Sequence, residues 1–281
     1  MPTTRHRRPS PRARNFGMRE VCRIGTSGQG KAPRTTCRRW NRSGRAVARQ
    51  LLSPHAVDPD LLECAARLHV GKKVTDDEFD TVYAQKERSI SFRHWTPVVV
   101  AGRAARLLTG MGATRILDVG AGVGKFCIVG ALTTEAHFSG VERRDNLVEI
   151  ARSAAARFGA ERTRFTHGNI VDFACDSFDG FYFYNPVQEL VEDDPLPIDL
   201  TAERSPTLYR TCVGSTTAKL IRAPAGTAVV TFNGFGGPMP PQYRRVCTER
   251  FFSAELVLWV RSAHAKVLPR KPSAESVSAP P

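Results

Sequence analysis

Residues 116–124 read Ile-Leu-Asp-Val-Gly-Ala-Gly-Val-Gly, an apolar run that breaks into alternate glycines. A short apolar run stopped by glycine reads as a buried strand. Phe126, Ile128, Val129 and Leu132 then recur at helical spacing. A strand that turns into a helix through Gly120 and Gly122 opens a βα unit. With no side chain at those two positions, its backbone can approach a ligand closely.

The alternation continues downstream. Strands are expected at 137–141, 163–166, 180–184 and 227–232, and helices at 145–157 and 202–222. Segments 243–248 and 256–261, joined by a short turn, read as a hairpin. The expectation is an α/β, Rossmann-like, doubly wound fold: a mostly parallel seven-stranded sheet with a C-terminal antiparallel hairpin. Upstream, Asp58-Pro59 can start a helix carrying Leu61, Leu62, Ala65 and Leu68. Thr75-Asp76-Asp77-Glu78 has capping-box spacing before Phe79, Val82 and Tyr83. Thr96-Pro97 fits the N-cap and first position of a third helix, running to about Leu108. These N-terminal accessory helices are expected to cover one edge of the sheet. The expected division is a disordered basic tail (1–54), accessory helices (55–110), a ligand-binding α/β domain (111–268) and a second disordered tail (269–281).

The chain carries 41 Lys and Arg against 27 Asp and Glu. Thirteen Arg and Lys31 lie in residues 1–50 against Glu20 alone, leaving 27 basic and 26 acidic groups elsewhere. The basic character therefore belongs to the tail, where it suits nonspecific nucleic-acid contact, and says little about the folded domain. Rich in Arg, Pro, Ser, Thr and Gly, the tail lacks an apolar period. A solvated tail, an organellar transit peptide and sequence upstream of a misassigned start all fit it. Residues 25–31 match G-x-x-x-x-G-K, but Ala32 stands where a P-loop needs Ser or Thr, and Pro33 follows. Seven scattered cysteines form no C-x-x-C pair, so no metal site is expected and a reduced, cytoplasmic chain is. No apolar run reaches the ~20 residues that span a bilayer, so a soluble protein without a membrane partner is expected.

Three details give the glycine turn its meaning. Lys125 stands where a dinucleotide fingerprint, G-x-G-x-x-G, has its last glycine, which argues against a nicotinamide oxidoreductase. Asp118 ends the strand, where a carboxylate would repel a pyrophosphate but suits a cationic amino acid. Glu142 ends the next strand, about twenty residues on, where an acid can accept from both hydroxyls of a ribose.

Asp118-x-Gly120-x-Gly122-x-Gly124, Glu142, Gly168-Asn169-Ile170 and Phe178-Asp179-Gly180 leading to Tyr184-Asn185-Pro186 follow in order. Together they resemble the successive motifs of class I S-adenosylmethionine (SAM)-dependent methyltransferases, from Arg115 to about Gly236. The resemblance implies SAM as cofactor, with Asp118, Gly120, Ala121 and Gly122 at its methionine end. It implies Glu142 on the ribose and Asn169 and Ile170 on adenine; the family often carries Asp at the Asn169 position, and Asn keeps a carbonyl acceptor. Many amino-group methyltransferases have Asn- or Asp-Pro-Pro-aromatic after the fourth strand. Here the residues are Asn185-Pro186-Val187-Gln188, so Asn185 beside the reacting centre and Tyr184 as an aromatic wall are the candidate catalytic residues. The acidic loop of Glu189, Glu192, Asp193, Asp194 and Asp199 could attract a cationic partner. With the glycine loop and Glu142, it is similar to the non-SET histone-lysine methyltransferases. The expected function is methyl transfer from SAM to a nitrogen on a protein or small-molecule amine. The alternative is a non-catalytic SAM-fold protein that binds RNA or a protein partner through the Arg-rich tail. Segment 94–97 could close over SAM or anchor the core through Trp95, and segment 234–241 could be a lid or a stiff connection.

Overall fold

The computed structural model describes residues 58–191, 198 and 204–263. The basic tail, the P-loop-like stretch, the C-terminal tail and Glu192, Asp193, Asp194 and Asp199 lie outside the described residues.

Helix α1 (Pro59–His69) starts as its sequence dictates: Asp58 accepts from the Asp60 N–H, with Pro59 at the first position. Helix α2 (Asp76–Phe79) has the full Thr75/Glu78 capping box and runs into a 3-10 turn, Asp80–Val82, burying Phe79, Val82 and Tyr83. A further helix, α3 (Gln85–His94), was not anticipated: it buries little beyond Ser91, so its sequence shows no apolar period. Helix α4 spans Val98–Gly110 with Pro97, not Thr96, at the N-cap. Its Val98 N–H is capped by Asp76 Oδ1 from α2 (2.9 Å), which leaves the Thr96 hydroxyl to bond Tyr182 Oη (3.0 Å). A cap supplied from another element is invisible to local spacing.

The α/β part then follows as β1 (Arg115–Val119), α5 (Lys125–Thr133), β2 (His137–Glu142), α6 (Asp145–Phe158), β3 (Thr163–His167), β4 (Gly180–Tyr184), α7 (Pro206–Arg222), β5 (Ala228–Phe232), β6 (Tyr243–Phe251) and β7 (Ala254–Arg261). The described strands form a seven-stranded sheet in the order β3-β2-β1-β4-β5-β7-β6. β7 runs antiparallel to β5 and β6, and the other pairs are parallel. The fold class expected above is the one observed.

Alternation along the strands sends side chains into two cores. Ile116, Phe138, Tyr182 and Val230 share one with α1, α4, α5 and α6; Leu117, Phe181, Phe183 and Val229 share the other with α7. Phe126 stacks on Tyr182 at 3.9 Å between ring centroids. The accessory helices thus pack on one face: α4 lies against β4, β5 and β7, and α1 against α5 and α6. They do not cap an edge, because α4 has its own apolar stripe, Val100, Ala101, Ala104 and Leu108, to bury. Among the described residues, no helix is long and apolar enough to cross a membrane.

The strand order reverses between β1 and β4. Crevices at such a point, outside the carboxyl ends of the strands, are where this architecture binds ligands.

Candidate active site

At that point the β1–α5 turn is stitched to the end of β2. Gly120 and Ala121 donate to the Val141 carbonyl at 2.9 and 3.1 Å, and Gly122 N–H donates to Glu142 Oε2 at 3.1 Å. Gly120 and Gly122 have φ of +78° and +54°. A Cβ on Gly120 would lie 2.7 Å from Pro186 Cβ, and one on Gly122 would lie 2.8 Å from the Trp95 ring. Both positions therefore need glycine for conformation and for space.

Glu142 is buried, and its Oε1 accepts the Arg144 N–H at 2.9 Å. The Arg144 side chain lies 3.4 Å from the same oxygen and also bonds Glu189, which contacts Arg143 as well at 3.2 Å. Glu189, expected in an acidic rim open to a cationic partner, is instead neutralised by two arginines of the β2–α6 turn. Nothing in the spacing signalled this pairing, because 45 residues separate Glu189 from Arg144.

Asp118 lies under the glycine turn, buried, with the Cys127 thiol 3.7 Å from Oδ2. Burial pushes its carboxyl up to about 8; the Cys127 hydrogen bond opposes this and the Glu142 charge adds to it. Asp118 is therefore mostly a neutral acid at pH 7, where a carboxylate was expected. A raised folded-state pKa favours folding below the ordinary carboxylate range, and that contribution is lost as pH rises through about 8. Asp118→Asn, which keeps the shape of the neutral form, should flatten the fall in denaturant-measured stability between about pH 4 and 8. Parallel wild-type and variant curves would refute the assignment.

Asn169 Oδ1 accepts from Val171 N–H at 3.0 Å and lies 3.8 Å from the Cys212 thiol. The carbonyl expected to face adenine is thus used to shape its own turn. With buried Ile170, Glu142, Leu208 and Cys212 it lines a cavity of about 50 Å³.

Across the crevice, β4 ends in Tyr184-Asn185-Pro186. Asn185 takes φ +44° and donates its N–H to the Gly234 carbonyl at 3.1 Å. Asn233, ending β5, takes φ +57°. Left-handed backbone is tolerated by Asn better than by most residues, so both strands turn sharply there. Tyr184 Oη donates to the Arg93 carbonyl at 3.1 Å, and its ring lies 5.0 Å from that of Phe232. Gly120, Gly122, Glu142, Tyr184, Asn185 and Asn233 meet around one cleft of about 310 Å³. The structure thus gathers the glycine turn, Glu142 and the Tyr184-Asn185 pair, with Asp118 beneath and Asn169-Ile170 in the adjoining cavity.

Trp95 is buried, donates from Nε1 to the Glu87 carbonyl at 3.1 Å, and lays its ring on Gly122. It is both a core anchor and a wall of the cleft. Segment 234–241 is held as a connection: Phe235 is buried against Phe183, and the Gly236 carbonyl accepts from Tyr209 Oη.

In the sequence Lys125 signals only a missing glycine. It is 2% exposed, with Nζ 2.6 Å from Asp76 Oδ1 and 2.7 Å from Asp80 Oδ1. The latter is an ion contact without hydrogen-bond alignment, since Asp80 Oδ1 has no hydrogen-bond partner. Tyr83 Oη adds a bond to the Val123 carbonyl at 3.2 Å. The accessory helices are thereby fastened to the glycine turn.

Residues 112–196 match the model of a family described as a methyltransferase domain. No curated protein matches the chain. Among solved structures, an RNA methyltransferase from Salinibacter ruber with S-adenosyl-L-homocysteine is similar at 18% identity, over 63% of this chain and 98% of that one, with a TM-score of 0.45. TrmN from Thermus thermophilus is similar at 16% identity over 61% and 51%, with a TM-score of 0.46. Magnesium protoporphyrin IX methyltransferase from Synechocystis with bound SAM is similar at 14% identity over 74% and 100%, with a TM-score of 0.45. The residues that match the methyltransferase-domain family carry β1–β4, and so include the crevice at the β1/β4 reversal.

Proposed function

We propose that this protein transfers a methyl group from SAM to a nitrogen acceptor on a protein or small molecule, in the cytoplasm. The observation that carries this reading is the single cleft in which Gly120, Gly122 and Glu142 face Tyr184, Asn185 and Asn233. Its donor set fits SAM. Gly120, Ala121 and Gly122, over Asp118, would hold the methionine end, and Glu142 the ribose hydroxyls. Ile170 and the turn set by Asn169 would floor the base. Residues 111–268 would form the catalytic domain, 55–110 its accessory helices, and 1–54 and 269–281 tails. The basic tail would add nonspecific nucleic-acid contact.

When bound, SAM supplies an activated methyl group on a positively charged sulfur. What remains for the chain is orientation and exclusion of water. Asn185 can align an acceptor nitrogen from the β4 end, while Tyr184 and Trp95 wall the space. Burial raises the Tyr184 hydroxyl above its ordinary pKa, so it orients and does not act as a base at neutral pH.

Tritiated-methyl transfer from SAM into fractionated lysate, sorted into protein, RNA and small molecules, tests the reading; label confined to RNA would overturn it. With the acceptor in hand, Asn185→Ala should lower kcat and kcat/KM together, roughly 10- to 100-fold, while SAM affinity changes little. A wild-type rate in a folded, SAM-binding variant would leave Asn185 as a strand-end turn residue only. Tyr184→Phe should cost less, since the hydroxyl is spent on Arg93 and the ring remains.

A further inference from the structure

The cleft does not end at Asn185. Trp95, Tyr184 and Asn233 also line a second cavity, of about 510 Å³, that reaches between α3 and the tip of the β6–β7 hairpin. Phe92 and Phe252 line it while remaining 76% and 77% exposed. Phe252 sits at φ +56°, a backbone state that favours glycine. A large apolar side chain that is both exposed and conformationally strained does nothing for the core. Three carboxylates, Asp76, Asp77 and Asp80, border the same space against one guanidinium, Arg88. Lys125 is committed to Asp76 and Asp80, which leaves the exposed Asp77 as the carboxylate at the mouth.

We propose that this cavity is the acceptor site and that it takes a small organic amine with an aromatic or similarly broad apolar body. The inference rests on the N-methyltransferase reading above and narrows its acceptor. Size decides between the two acceptor types. Small-molecule sites run to about 300–1,000 Å³, and this space falls within that range, whereas one lysine side chain would fill a small part of it. Charge and aromaticity decide the chemistry. Aromatic faces attract a cation, and the acidic border favours an ammonium over a carboxylate. The cavity meets the cofactor cleft at Trp95, Tyr184 and Asn233, so an amine seated there reaches Asn185. The ammonium sheds its proton to water. The neutral nitrogen's lone pair then forms the N–CH3 bond as the S–CH3 bond breaks, its electron pair staying on sulfur.

The test uses the full chain saturated with S-adenosylhomocysteine, whose binding is measured first and reports separately on the methyltransferase reading. Tryptamine is then titrated by calorimetry, beside indole-3-acetate, n-butylamine and a lysine-containing peptide, and each is offered for tritium transfer from SAM. Tryptamine should bind and take label, with the other two small molecules weaker by about tenfold or more. Phe252→Gly should weaken tryptamine about fivefold while the melting temperature holds or rises, because glycine relaxes the left-handed turn. A purely structural Phe252 would instead lose stability. Asp77→Asn should weaken tryptamine without changing S-adenosylhomocysteine affinity. If S-adenosylhomocysteine binds and tryptamine does not, the cavity assignment alone falls. It falls equally if indole-3-acetate binds as tightly as tryptamine, if only the peptide takes label, or if Phe252→Gly leaves amine affinity unchanged.

Discussion

Lys125→Ala should destabilise the protein by about 3–5 kcal/mol, the range for removing one partner of a buried ion pair. Its ammonium is 2% exposed, between Asp76 Oδ1 and Asp80 Oδ1, and 5.6 Å from the Phe79 ring centroid. Asp76 is 44% exposed and can return to water, so most of the loss comes from Asp80, whose side chain is 7% exposed. Asp80 would keep its Ser91 hydrogen bond but face the core without a cation. For a domain of this size the melting temperature should drop by roughly 6–20 °C. Lys125→Met, which keeps the stem, should lose nearly as much, while adding Asp80→Asn should recover a large part, because it removes the stranded charge. Chemical denaturation of Lys125→Met, Asp80→Asn and the double variant closes the cycle. SAM affinity should fall with stability, since the same contacts bring Trp95 onto Gly122. A Lys125→Ala protein as stable as wild type would mean that the accessory helices are held by their apolar contacts alone.

Glu142→Ala should weaken SAM binding by about 1–3 kcal/mol, the range for stranding a buried hydrogen-bond partner. Two effects combine. The proposed ribose acceptor is lost, and the Gly122 and Arg144 N–H groups that it now accepts lose their partner. Arg144 keeps its bond to Glu189, so the β2–α6 turn should stay folded. Glu142→Gln separates the two effects: its side-chain oxygen can still accept from one N–H, so the loop is partly held while the negative charge is gone. Calorimetry with SAM should rank wild type above Gln above Ala, with no NAD binding by any of them. Unchanged SAM affinity in folded Glu142→Ala would sink the ribose assignment.

Where a fold is written in short-range pattern, it was legible from the chain. The apolar run of β1, the alternate glycines after it, the Asp58-Pro59 start and the Thr75/Glu78 capping box all act over a few residues. Each appeared in the structure at its expected place. Helix α3 was not legible, because it contributes almost nothing to a core and so carries no period. The N-cap of α4 was misplaced by one residue because the acceptor of its first N–H is Asp76, 22 residues earlier.

The same division runs through the site. By itself the sequence determined that a glycine turn follows β1, that acids end β1 and β2, and that Tyr184-Asn185 ends β4, since strand ends and glycines are local features. Only the tertiary structure decided what those groups face. Burial, with the Glu142 charge adding to it, makes Asp118 mostly a neutral acid at pH 7, and Arg143 and Arg144 neutralise Glu189. Lys125, an absent glycine in the sequence, became the buried tie between the accessory helices and the glycine turn. A side chain's charge state and partners depend on what lies within a few ångströms, and residues far apart in the chain reach that distance only after the sheet has assembled.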